Sequence, residues 1–281
     1  NNNDEVLLFR KEENFKRLNQ SAVRLSIPEI PEDVFISGLI ELLKLDGEWC
    51  KADDGCSLYI RPFIFASSEW IKASSSDEFT FMIITSPTIN YYPGSIDLVI
   101  EQHFSRATNG GVGYAKAAGN YAGSFYPTKK ANARGFTQVI WTDSKEHKYI
   151  EESGTMNIWF RIDNKLITPS LSDSILGGIT RDSILKLAID AGIDVEERIV
   201  SVAEILEASK NGTLQEAFGT GTAVAVVAVK SITLEDIKMN IPTQENPISM
   251  RFKKQLQDLQ YGRSEDIFKW TSKVPSGITA F

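Results

Sequence analysis

The sequence predicts a mixed α and β (α+β) protein in two domains. Two apolar helical stretches come first, followed by two runs rich in aromatic and β-branched residues. A break containing Pro87, Pro93 and Gly94 then interrupts the pattern, and beyond it strands and helices alternate. A length of 281 residues is ample for two domains of ordinary size.

In order, residues 16–27 carry Leu18, Ala22, Val23 and Leu25 at helical spacing and stop before Pro28. Residues 31–44 form a second helix with Val34, Leu39 and Leu43 on its apolar face. Residues 57–65 and 78–85 read as strands. The boundaries that follow are a small domain at 1–88, a linker at 89–95 and a large domain at 96–281. In the second part, 96–101, 138–141, 156–161 and 224–229 read as strands, and 110–113 as a flexible loop. Residues 128–134 have helical composition, and 180–191 form a helix capped by Thr180 and closed by Gly192. Ser201 and Glu204 make a capping box, and Thr233-x-x-Asp236 reads as another helix start.

The formal charge of -7 argues against a nucleic-acid or acidic-membrane partner, because phosphate binding needs a basic face. The apolar run 223–229 is too short to span a bilayer. The polar, acidic start does not resemble a signal peptide, and two cysteines suit a reduced, cytoplasmic protein. His103 and His147 lie in no metal-like or nucleophile–base cluster, so no metal site is expected. Neither Gly111-Val112-Gly113 nor Gly219-Thr220-Gly221 continues into a dinucleotide fingerprint, and no P-loop exists.

Chemistry concentrates in a few segments. Gly110 to Tyr121 places Lys116 among small residues, and a lysine in a close-packed, poorly hydrated site becomes a usable amine. On residue chemistry alone, a solvated lysine in a surface loop is the commoner outcome. Gly177-Gly178-Ile179-Thr180 precedes a helix whose free N–H groups suit an anion, although Thr180 also reads simply as a cap. Gly219 to Thr222 is a second small, hydroxyl-bearing candidate. Glu152 stands before a tight turn, where it suits a protonated ring nitrogen or simple solvation.

Taken in order, Leu8-Phe9-Arg10, Leu58-Tyr59-Ile60-Arg61-Pro62, the lysine segment, Glu152 to Asn157, Gly178 to Arg181 and Phe218 to Ala223 resemble the branched-chain aminotransferases. The resemblance runs through essentially the whole chain. It implies the two-domain D-amino-acid aminotransferase-like fold (fold type IV) and pyridoxal 5'-phosphate as cofactor. It further implies transamination of L-leucine, L-isoleucine and L-valine with 2-oxoglutarate, in a homodimer. Lys116 matches the catalytic lysine that bears the cofactor, Tyr121 the tyrosine on its phenolic oxygen, and Glu152 the partner of its ring nitrogen. Arg10, Ile179, Thr180 and Thr222 match the phosphate cradle. Tyr59, Thr155, Thr222 and Ala223 match positions around the substrate carboxylate. Arg61 matches an arginine for the distal carboxylate of glutamate, and Tyr91 an aromatic wall of the side-chain pocket.

There are departures. The family has a leading segment with an aromatic-Glu-Gly motif ahead of the position of Asn1, so the small domain is expected to lack its first segment. Tyr114 replaces a usual Asp or Asn, and no redox Cys-x-x-Cys occurs. Rival readings are a D-amino-acid aminotransferase, an aminodeoxychorismate lyase, or a non-catalytic ligand-binding member of the fold.

Overall fold

The computed structural model describes residues 5–51, 53–89 and 94–275. The chain divides into two compact units, Asn1–Tyr91 with Gln257–Phe281, and Tyr92–Leu256.

The first unit opens with β1 (Leu7–Phe9), which pairs antiparallel with β13 (Thr271–Lys273). This corrects the expectation that residues 257–281 belong with the large domain. A strand as short as β1 needs a ladder partner, and β13 supplies it from the far end of the chain. Helix α1 (Lys11–Arg24) starts earlier than predicted, with Glu12 and Glu13 in its first turn where they complement the dipole. It stops before Ser26, which adopts φ 57. Helix α2 (Glu32–Asp46) buries Phe35, Leu39 and Leu43 against Leu58, Ile60, Phe81 and Ile83 of the hairpin β2 (Cys56–Ala66) and β3 (Phe79–Ile89). Strand alternation therefore turns Tyr59 and Arg61 to the opposite face of that hairpin. The break begins later than expected, since β3 continues through Pro87 to Ile89.

The second unit holds β4 (Ile96–Ile100), α3 (Ala118–Ala133), β5 (Gln138–Thr142), β6 (Ile150–Ser153), β7 (Asn157–Ile162) and β8 (Lys165–Pro169). Next come α4 (Ile179–Asp190), β9 (Val195–Arg198), α5 (Val202–Lys210), β10 (Leu214–Gly221), β11 (Ala225–Leu234), β12 (Ile237–Asn240) and α6 (Ile248–Gln260), within which the division between the units falls after Leu256. Its strands form one nine-stranded sheet in the order β6-β5-β4-β11-β10-β7-β8-β9, with β12 paired to β11. Residues 139–142 and 157–160 are buried without alternation, as strands covered on both faces must be. Trp141, Trp159, Phe160 and Phe218 fill the interior.

Three sequence readings change here. Helix α3 starts at Ala118 rather than 128, because Pro127 does not end it but joins an inward stripe with Asn120, Ser124 and Ala131. Thr233 belongs to β11 and Glu235-Asp236 form a hairpin turn with Glu235 at φ 52, so strand pairing with β12 prevails over the local capping pattern. The cap of α4 is Gly178, which leaves Thr180 inside the first turn with no capping bond.

Candidate functional site

Within the second unit, the turn between β6 and β7 sets the first group of side chains. Gly154 takes φ 57 and a Cβ there would meet Gln138 Oε1 at 2.6 Å, so only glycine fits. The Gly154 carbonyl accepts from Trp141 Nε1 at 2.9 Å, which pins the turn to the core. Glu152 enters the turn and Asn157 leaves it. The amide of Asn157 donates to the Leu176 carbonyl at 2.8 Å and reaches Glu152 Oε1 at 3.4 Å, while the Leu176 N–H donates to Glu152 Oε1 at 2.7 Å.

The lysine loop is held from below. Asn120 donates to the carbonyls of Val112 and Ala115 at 2.8 and 2.9 Å, and the Tyr114 N–H donates to the Asp173 carbonyl at 2.9 Å. Gly113 packs so closely that a Cβ would stand 2.6 Å from Ser174 Cα. From this loop Lys116 Nζ donates to the Tyr121 hydroxyl at 2.9 Å. Tyr121 is placed by the first turn of α3. The Lys116 side chain is exposed, the solvated outcome that residue chemistry alone favours, so the close-packed surroundings that would make it a usable amine are not supplied at this position. Tyr121, Glu152 and Thr155 line one cleft together with Arg106, Asn120, Ser124, Gly154 and Leu176, with a cavity volume of ≈ 20 Å³.

Burial pushes the Glu152 carboxyl up to about 7, against the lowering charges of Arg106 and Lys116 and the N–H of Leu176. Arg106 Nε lies 3.1 Å from Glu152 Oε2, yet its N–H is not aligned on that oxygen and makes no hydrogen bond. The contact is electrostatic. Burial also raises the neighbouring Glu151, opposed by a hydrogen bond from the Ser174 hydroxyl and by the charge of Arg106.

Two further segments meet the same end of the sheet. A Cβ on Gly178 would stand 2.1 Å from Asn157 Oδ1, so the start of α4, with Ile179 and Thr180 buried in its first turn, is seated directly on Asn157. The tight loop of Thr222, Ala223 and Val224 joins β10 to β11, and Gly221 at its base faces Met156 and Thr155. Thr222 and Ala223 are exposed there. The second unit thus gathers Lys116, Tyr121, Glu152, Thr155, Ile179, Thr180, Thr222 and Ala223 around the ends of β6, β7 and β10.

In the first unit, Arg10 is buried at φ 51 before α1, its guanidinium 5.0 Å from the Trp270 ring centroid. The Arg61 guanidinium lies 5.3 Å from the ring centroid of Tyr59 on the hairpin face opposite the unit's core. Tyr91 lies outside the described residues. Sequence reasoning missed Arg106, Ser124 and Leu176, which sit in stretches without a motif. Asn120 could have been found, being a polar residue beside the lysine loop at the start of a helix.

The described residues contain no group of three or more His, Cys, Asp or Glu able to hold a metal, and no helix long and apolar enough to cross a membrane. A family model, amino-transferase class IV, matches residues 2–232. A probable branched-chain-amino-acid aminotransferase of Staphylococcus epidermidis is 43% identical over 278 residues, covering 97% of this chain and 78% of that protein. The structure of the branched-chain amino acid aminotransferase from Escherichia coli is 28% identical with a TM-score of 0.77, covering 95% of this chain and 84% of that one. The T.th. branched-chain amino acid aminotransferase complexed with N-(5'-phosphopyridoxyl)-L-glutamate shares the fold, with a TM-score of 0.78 at 24% identity over 96% of this chain and 84% of that one.

Proposed function

We propose that this chain, which belongs to the class IV aminotransferases, transfers the amino group of leucine, isoleucine or valine to 2-oxoglutarate with pyridoxal phosphate as cofactor. The observation that carries it is the bond from Lys116 Nζ to Tyr121, whose ring shares a cleft with the buried Glu152. That donor set fits the cofactor. A primary amine suits its aldehyde, a buried carboxylate suits its ring nitrogen, and the glycine-floored start of α4 offers backbone N–H groups to a phosphate. When bound, pyridoxal phosphate supplies a ring that withdraws electrons from the substrate α-carbon.

The residues divide the remaining work. Glu152 holds a proton at the ring nitrogen, and its pairing with Arg106 favours the charged form that this requires. Lys116 Nζ removes the α-proton as a general base and returns it as a general acid. The Tyr121 hydroxyl, which accepts from Lys116, keeps that amine oriented. Ile179, Thr180, Thr222 and Arg10 are assigned to the phosphate. Tyr59, Thr155, Thr222 and Ala223 are assigned to the substrate carboxylate, Arg61 to the distal carboxylate of glutamate and Tyr91 to the side-chain pocket. The amino acid leaves as its 2-oxo acid, and the amino group leaves on 2-oxoglutarate as glutamate. The phosphopyridoxyl-glutamate of the T.th. structure supports glutamate as the product formed from 2-oxoglutarate.

A homodimer in the cytoplasm completes the proposal. Helix α3 directs polar Asn120 and Ser124 inward while leaving Phe125 66% and Tyr126 61% exposed, an inverted pattern that a second copy would cover. The test is absorbance of the full chain with added pyridoxal phosphate. A visible band should form, borohydride should fix the cofactor's mass on Lys116, L-leucine should bleach the band, and 2-oxoglutarate should restore it. Bleaching by D-alanine alone moves the assignment to a D-specific enzyme. A chain that takes up no cofactor is a binding module.

A further inference from the structure

Arg106 lies in the connection between β4 and the lysine loop, and its side chain is 8% exposed. One terminal nitrogen donates to the Ser174 carbonyl and, at 3.4 Å, to the Gly113 carbonyl. Gly113 stands three residues before Lys116, and Ser174 two before Leu176, whose N–H binds Glu152. The guanidinium is therefore fixed by the same two segments that fix the lysine and the acid. Its position does not depend on any ligand.

One cation here faces two acids. Glu151 and Glu152 are consecutive in β6 and both buried, at 9% and 3% exposure. Their donors are unequally shared. Glu152 receives the Leu176 N–H and the Asn157 amide, whereas Glu151 receives the Ser174 hydroxyl and its Oε2 has no hydrogen-bond partner. The other groups acting on the pair are the exposed Lys116 from the lysine loop, which lowers Glu152, and Asp143, which raises Glu151. Two adjacent carboxylates out of water cannot both ionise against a single buried guanidinium without a large cost, so a proton is retained between them. The donors favour its residence on Glu151.

We propose that Arg106 is a positioning residue for the reaction, acting through Glu152: its fixed guanidinium keeps that carboxylate ionised and in place for the cofactor's ring nitrogen, while Glu151 carries the proton. The role in the reaction rests on the cofactor reading above. The charge relation does not, and the test is chosen to separate them.

The test follows the titration of Glu152 by NMR in the full chain labelled with carbon-13 at its glutamate carboxyls, without pyridoxal phosphate, with Glu152→Gln to identify the signal. Arg106→Met removes the cation, so the Glu152 midpoint should rise by about 1 to 3 pH units. Glu151→Gln replaces a protonated acid by a neutral amide and should leave the midpoint where it was. A midpoint unmoved or lowered by Arg106→Met, or lowered by Glu151→Gln, overturns the proposal. If Arg106→Met does not fold, Glu151→Gln decides alone, and a displaced midpoint overturns it. With cofactor added, the pH dependence of the visible band should move with the midpoint. A chain that never forms that band defeats the functional reading and leaves the titration result to be judged independently.

Discussion

Gly178 and Gly177 are neighbours with opposite expected fates. A Cβ at Gly177 would meet only Leu171 Cδ1 at 3.7 Å, an ordinary contact. At Gly178 it would meet Asn157 Oδ1 at 2.1 Å, with Asn157 Cγ at 3.3 Å and Arg181 Cβ at 3.4 Å behind it. Backbone strain is not the cause, since Gly178 adopts φ -69 and ψ 131, which alanine tolerates. Asn157 would have to move, but it is 6% exposed and bonded to the Leu176 carbonyl. Losing that bond leaves buried polar groups unmet, at about 1–3 kcal/mol, and overpacking adds about 1–3 kcal/mol. Gly178→Ala should therefore cost about 2–6 kcal/mol in urea unfolding and weaken cofactor retention, because Glu152 and the start of α4 both lean on Asn157. Gly177→Ala should lie within about 1 kcal/mol of the unaltered chain, on the stabilising side if its backbone is merely stiffened. Equal effects from the two alanines would refute the steric reasoning, as would a Gly178→Ala protein with unchanged unfolding midpoint.

Other outcomes follow from single buried contacts. Glu216, 4% exposed, accepts from the N–H groups of Ile248 and Ser249 at 2.8 and 3.1 Å, from the Ser249 hydroxyl at 2.9 Å, and pairs with Arg161 at 3.3 Å. Glu216→Ala should thus destabilise by about 3–5 kcal/mol in denaturant titration, more than any exposed acid. Burial raises both Glu151 and Glu152, the latter to about 7, so the pair keeps a proton that the unfolded chain has released. Its contribution is present below the unfolded value near 4.5 and is lost as pH rises toward 7. The cofactor-free chain should lose about 3 kcal/mol across that interval from this one proton, and Glu151→Gln should flatten the profile more than Glu152→Gln. Ser201 accepts from the Glu204 N–H at 3.0 Å as the cap of α5, so Ser201→Ala should lower stability by about 1 kcal/mol in thermal melting.

Local rules succeeded where the local signal was also the global one. The helix at α5 follows its capping box, and the core strands follow their continuous apolar runs. They failed where a partner distant in sequence set the conformation. Nothing around residues 165–169, 195–198 or 214–221 distinguishes a strand by alternation, because each becomes one only by pairing with a neighbour already in the sheet. The start of α3 at Ala118, ten residues before the predicted 128–134, has a related reason. A proline is a breaker in isolation, but burial of the stripe that includes it keeps α3 helical from Ala118.

By itself, the order of residues marked out candidates for a site: an amine at 116 among glycines, a tyrosine five places on, an acid before a turn, and glycines before a helix. Each pattern alone also suits a solvated or capping residue, and only their order along the chain, which resembles the branched-chain aminotransferases, joined them into one proposed site. Only the tertiary structure decided what surrounds that acid. Arg106, Ser174 and Leu176 reach Glu152 and Glu151 from separate loops. Charge interactions depend on distance and burial, and neither can be counted along the chain.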